Sequence, residues 1–177
     1  GGNPGELLTS QVGELADYVN DHKNISVDVG QVMFGDTTSL TGDSPLAYML
    51  HKVTGRKWVN FDLENEAGCG IVPMEYKEKN YVHTTQWAAG LEWFLRVEDP
   101  WRIALTSDHP NGAVFTFYPR IIRLLMDYPY RREMMQKVNP RALEKTLLPD
   151  MDREYSLYEI AIITRAGPAR LLGLSDR

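Results

Sequence analysis

The chain runs to 177 residues, 43% hydrophobic and 24% charged, a length and balance that suit one soluble unit with a substantial core. Its net charge of -5 excludes the basic excess that a nucleic-acid or anionic-membrane surface requires. The lone cysteine, Cys69, excludes an internal disulfide and favours a reducing, cytoplasmic setting; no apolar run is long enough to span a bilayer, and no signal-peptide pattern opens the chain.

Leu8, Val12, Leu15, Ala16 and Val19 recur at helical spacing and predict an amphipathic helix over residues 6–21. Ile25, Val27 and Val29 alternate with polar neighbours, the pattern of a strand with one apolar face. A polar break is expected from Gly35 to Gly42, followed by a helix with Asp43 or Ser44 as N-cap, Pro45 in its first turn and Gly55 at its close. Residues 57–64 alternate as a second strand, and residues 67–70 form a permissive turn into Ile71-Val72-Pro73. Trp87, Gly90, Leu91, Phe94 and Val97 then make an apolar helical stripe, starting at Thr84 or Thr85 and stopping at Asp99-Pro100. Residues 101–107 are the third strand.

From Pro119 onward the pattern is helical, and Pro129 restarts a second short helix. Arg120, Arg123, Arg131 and Arg132, diluted by Asp127 and Glu133, read as a solvated helix face. Ser156 and Glu159 pair as a capping box, and Gly167-Pro168 is expected to stop the helix they open. Helix and strand alternate along the chain, which points to βα units and a largely parallel sheet. Three strands are too few for a closed barrel, so the chain reads as a piece of a larger α/β architecture.

The stretch LTSDHPNG, Leu105 to Gly112, concentrates the candidate chemistry. A buried apolar run ends in an aspartate, a histidine and a Pro-Asn-Gly turn, as when a strand delivers a carboxylate to the rim of an α/β domain. On residues alone, Asp108 either organises its own turn by accepting backbone hydrogen bonds, the commoner use, or carries chemistry. His109 and His83 lack metal-ligand spacing. Cys69 has no histidine near it in sequence and reads as inert, and the glycines beside it do not make a phosphate loop. Asp62, Glu64 and Glu66 read as a solvated strand edge, and Trp87, Trp93 and Trp101 as core packing.

Two groups of motifs carry a resemblance. Residues 164–174, TRAGPARLLGL, resemble the helix that closes the catalytic barrel in the amidohydrolase superfamily. QWAAGLEW (86–93), DPWRIALTSDHPNGA (99–113), YPRII (118–122) and YEIAIITRA (158–166), with ISVDVGQV and AGCGIVP, together resemble the amidohydrolase-type subunit of formylmethanofuran dehydrogenase and the related subunit of the bacterial formyltransferase/hydrolase complex. The resemblance implies a partial (β/α)8 barrel, its last strands and helices with mostly parallel strands and a helical C-terminal tail. Residues 1–177 would form one unit without the first barrel strands and without the β-sandwich segment.

The implied activity is hydrolysis or formation of the N-formyl bond of formylmethanofuran, giving formate and methanofuran. The implied catalytic residue is Asp108, moving a proton as base and then acid, and ligating metal in the complete barrel; His109 and Asn111 would shape the pocket mouth. A dinuclear zinc centre is implied for the complete parent, with none expected in this chain alone. Partners would be other subunits of a multisubunit complex, not nucleic acid or a membrane, with self-association of the piece through uncovered apolar faces. Two other readings stay open: an amidohydrolase of another N-acyl or cyclic amide, and a non-catalytic scaffold.

Overall fold

A computed structural model describes residues 8–41, 49, 52–53 and 70–174. Of the expected helix at 45–55, residues 49, 52 and 53 are described and are helical; the rest of it, the strand at 57–64, the turn at 67–69, and Cys69, Asp62, Glu64 and Glu66 lie outside the described residues. Helix α1 (Val12–Asp21) is shorter at its start than the apolar spacing suggests. Strand β1 (Val27–Gly30) follows, then β2 (Gly35–Thr41) and β3 (Gly70–Tyr76). Helix α2 (Tyr81–Arg96) leads to β4 (Ile103–Thr106).

The strands form two pairs. β1 and β4 are parallel, with Val27 opposite Ile103 and Gly30 opposite Thr106, and α2 makes the crossover expected of a βα unit. β2 and β3 are antiparallel, with Gly35 opposite Tyr76 and Thr41 opposite Gly70. The mostly parallel arrangement is therefore corrected: among the described residues, one pair is parallel and one antiparallel. Residues 35–41 of the supposed polar break are strand β2, and Ile71-Val72-Pro73 belongs to its partner. GDTTSLT lacks an apolar alternation, so its pairing comes from β3 rather than from its own composition.

Helix α2 organises the core. Trp87, Ala88, Leu91 and Phe94 are fully buried, packed with Val19 of α1, Ile103 and Leu105 of β4, and Ile121 and Leu125 of the tail. Its start lies at Asn80, whose side chain accepts from the His83 N–H, so Thr84 and Thr85 sit inside the helix instead of capping it. Trp93 packs against the core from its margin, and Trp101 is half-buried with Arg170 5.6 Å above its ring.

The tail comprises α3 (Tyr118–Met126), α4 (Tyr128–Met135), α5 (Pro140–Leu143), α6 (Leu157–Ala161), a π-turn over Ile162–Ala166, and α7 (Gly167–Leu171). Asp127 caps α4 with Pro129 in its first turn, and the Ser156–Glu159 capping box is present in full. Gly167-Pro168 does not stop the chain's helical path. Pro168 has no N–H to give and would crowd the carbonyl four residues back, so the backbone widens by one residue before it. The Gly167 N–H bonds to the Ile162 carbonyl, and a methyl group there would stand 2.9 Å from that oxygen.

Arg131 departs from the solvated face assigned to its cluster. It is fully buried, and its guanidinium donates to the carbonyls of Leu124, Met151 and Arg153, tying α3 to the segment before α6. Among the described residues, no helix is long and apolar enough to cross a membrane.

Candidate active site at the strand ends

The C-terminal ends of β1 and β4 lie side by side and hand the chain to Gly30-Gln31 and Ser107-Asp108. Ile103, Ala104, Leu105 and Ser107 are buried, whereas Asp108 and His109 are exposed, so the carboxylate emerges where the apolar run stops. Asp108 has φ 46°, the left-handed region that aspartate adopts more readily than most side chains. That backbone reversal lets the Gly112 N–H reach the Asp108 carbonyl at 3.3 Å and the Ala113 N–H reach the Ser107 carbonyl at 2.9 Å.

β1 closes on Asp108 through a glycine. A methyl group on Gly30 would lie 2.8 Å from the Asp108 Cβ, so an unsubstituted backbone is what lets the two strand ends approach. Gly112 fills the same need against the Ser107 carbonyl, which a Cβ would meet at 2.7 Å. Gln31 is fully buried, and its Nε2 donates to the Trp87 carbonyl at 3.1 Å, fastening the end of β1 to α2.

The three residues singled out from sequence come together here. Asn111 Nδ2 donates to Asp108 Oδ1 at 3.2 Å, and the His109 Nδ1 accepts the Phe115 N–H at 3.2 Å. In a neutral His109 ring that bond leaves the proton, and the donor role, on Nε2. Asp108 thus has a partner in its own loop. Hollows of about 590, 490 and 460 Å3 lie elsewhere: between α1 and the segment around Asp152, below Trp101 and Arg170, and along β1 beside Trp93. Asp108 lines none of these three.

Sequence reasoning missed the hairpin's part in this rim. The Thr37 hydroxyl donates to the Pro110 carbonyl, the Met33 N–H bonds to the Gly112 carbonyl at 3.1 Å, and the Phe117 ring packs where Gly35 has no side chain. Tyr76, at the end of β3, is buried, and its phenol is pushed above its ordinary pKa by that burial and by the negative charge of Asp108. Its edge meets the His83 ring at 5.0 Å; His83 is held below its ordinary value by burial and by Lys77. No local motif marks Tyr76, because its place depends on pairing with residues 35–41 far back in the chain. Among the described residues, no three His, Cys, Asp or Glu side chains gather closely enough to hold a metal ion.

An amidohydrolase family profile matches residues 4–177, and the chain belongs to that family. Over 99% of its length it is 46% identical to protein FwdA of Methanocaldococcus jannaschii, and equally to the corresponding subunit of the Fhc formyltransferase/hydrolase complex of Methylorubrum extorquens. It spans about a third of those relatives, 31% and 33% respectively. The crystal structure of the Methylorubrum extorquens FhcABCD complex with methylofuran superposes with a TM-score of 0.86 at 42% identity, covering 96% of this chain and 31% of that one.

Proposed function

We propose that residues 1–177 are one unit, the last part of a (β/α)8 barrel, and that the longer protein hydrolyses or forms the N-formyl bond of formylmethanofuran. The observation that carries this is Asp108, exposed at the end of a buried strand and gripped by the neighbouring parallel strand, in a family member 46% identical to the Fhc complex subunit. Further strands of the barrel would lie along the outer edge of β1, beside the hollow lined by Val27, Val29 and Trp93.

In this reading water adds to the formyl carbon and the C–N bond breaks, giving formate and the free amine. The proton leaving the attacking water passes to the Asp108 carboxylate and from there to the departing nitrogen, which must be protonated to leave. Asn111 holds one carboxylate oxygen, His109 follows on the same loop, and the charge of Asp108 is felt at the Tyr76 phenol. Amidohydrolases are generally metal-dependent. The described residues do not by themselves fit a dinuclear zinc centre; its remaining ligands would come from elsewhere in the longer protein, with Asp108 as one of the set.

A scaffold role has one observation in its favour, the Asn111 contact by which the Asp108 loop satisfies its own carboxylate. Asp108→Asn in the longer protein, assembled with its partner subunits, separates the two. The expected result is a loss of turnover on formylmethanofuran of roughly a thousandfold or more with assembly intact. Retained turnover would leave the scaffold reading standing.

A further inference from the structure

We propose that Phe115, held against His109, is a specificity residue that stacks on the planar furan ring of the substrate amine; this rests on the reading above. Phe115 is 63% exposed, and of the exposed large apolar side chains among the described residues it is the one on the loop that follows Asp108. It is not a loose side chain. Its N–H is bonded to His109 Nδ1 at 3.2 Å, and the two rings meet edge to face, 5.5 Å apart at 84°.

The backbone around it is fixed as well. Phe115–Phe117 is a 3-10 turn closed by the Phe117 N–H on the Val114 carbonyl at 2.9 Å. Phe117, the next aromatic residue of the turn, is already engaged: it lies against Gly35, with the Arg120 guanidinium 5.3 Å above its ring. Phe115 therefore presents an open aromatic surface beside the residue that follows Asp108. Edge-to-face contact with His109 uses part of the ring and leaves area for offset stacking by another flat π-system. A ring ordered in advance gives up little further freedom when the ligand arrives.

Phe115 touches no reacting bond in this scheme, so its signature is in binding rather than turnover. The test uses the assembled longer protein with formylmethanofuran as substrate, and furfurylamine and butylamine as competitive inhibitors with and without the ring. Phe115→Ala is expected to raise KM and the furfurylamine inhibition constant about tenfold, leaving kcat and butylamine inhibition within about twofold. Phe115→Trp should retain wild-type values, and Phe115→Leu should behave as the alanine variant does.

Unchanged constants in Phe115→Ala, or equal weakening of both amines, would overturn the assignment while wild-type turnover keeps the parent reading intact. Loss of a partner subunit from Phe115→Ala, with normal KM in the complex that remains, would instead assign the ring to an interface and also overturn it. A wild-type protein without turnover on formylmethanofuran would remove the parent reading, and this inference with it.

Discussion

Gly30→Ala asks how closely the position of Asp108 must be held. The added methyl would stand 2.8 Å from the Asp108 Cβ and 3.6 Å from its backbone nitrogen. Carbon atoms rest about 3.5–4.0 Å apart, so one strand end must retreat by roughly 1 Å. Neither β1 nor β4 can do so without disturbing a ladder that pairs all four residues of each. Overpacking of this kind costs about 1–3 kcal/mol. A displacement of about 1 Å in a group that must meet its substrate at a set distance costs about a hundredfold in rate. Gly13→Ala is the control, because its methyl would meet Leu147 Cδ1 at 2.9 Å, the far end of an exposed side chain that can swing away. Melting temperature and kcat on formylmethanofuran would be measured for both variants in the longer protein. Gly30→Ala should lose about a hundredfold in kcat and melt a few degrees lower; Gly13→Ala should match the wild type in kcat. Wild-type kcat in Gly30→Ala, or an equal loss in Gly13→Ala, would refute the argument.

Glu92 is fully buried and accepts from the Ser10 hydroxyl, from the Leu147 N–H at 2.5 Å and from the Leu148 N–H at 3.3 Å, so Glu92→Leu should destabilise by about 3 kcal/mol or more in urea unfolding. Burial holds this carboxyl above its ordinary value of 4.5, against the lowering by Ser10 and the two backbone donors. The folded chain then keeps the proton more readily than the unfolded one. The associated stability is present below pH 4.5 and is lost as pH rises through the raised folded value, a slope that Glu92→Gln should flatten. Arg131→Ala should cost about 3 kcal/mol or more by stripping the Leu124, Met151 and Arg153 carbonyls of their donor, read as earlier proteolysis between α5 and α6.

Features written in neighbouring residues were legible in advance. The Ser156–Glu159 box, the helix restart at Pro129, the break at Asp99-Pro100 and the apolar strand running into Asp108 each rest on contacts within a few positions. What escaped was set by distant partners. β2 is a strand because β3 pairs with it, and that pairing sets Tyr76 opposite Gly35, where its phenol feels the charge of Asp108. Arg131 looked solvated because composition counts charges and does not see that three carbonyls converge on one of them. Glu92 interrupts the apolar stripe of α2 for the same kind of reason, its donors lying at Ser10 and at Leu147-Leu148. At the rim, motif resemblance drew attention to Asp108, His109 and Asn111, while the adjoining hairpin had no motif to announce it.

The left-handed backbone of Asp108 decouples chemistry from architecture at this position. Asparagine and glycine occupy that conformation as comfortably as aspartate does, and each is one base change from an aspartate codon. On the role proposed for Asp108, a copy of the gene could therefore fall silent as an enzyme in a single mutational step while its product still folds and accumulates normally. Abundance would be a poor guide to whether such a copy still turns over; the residue at 108 would have to be read directly.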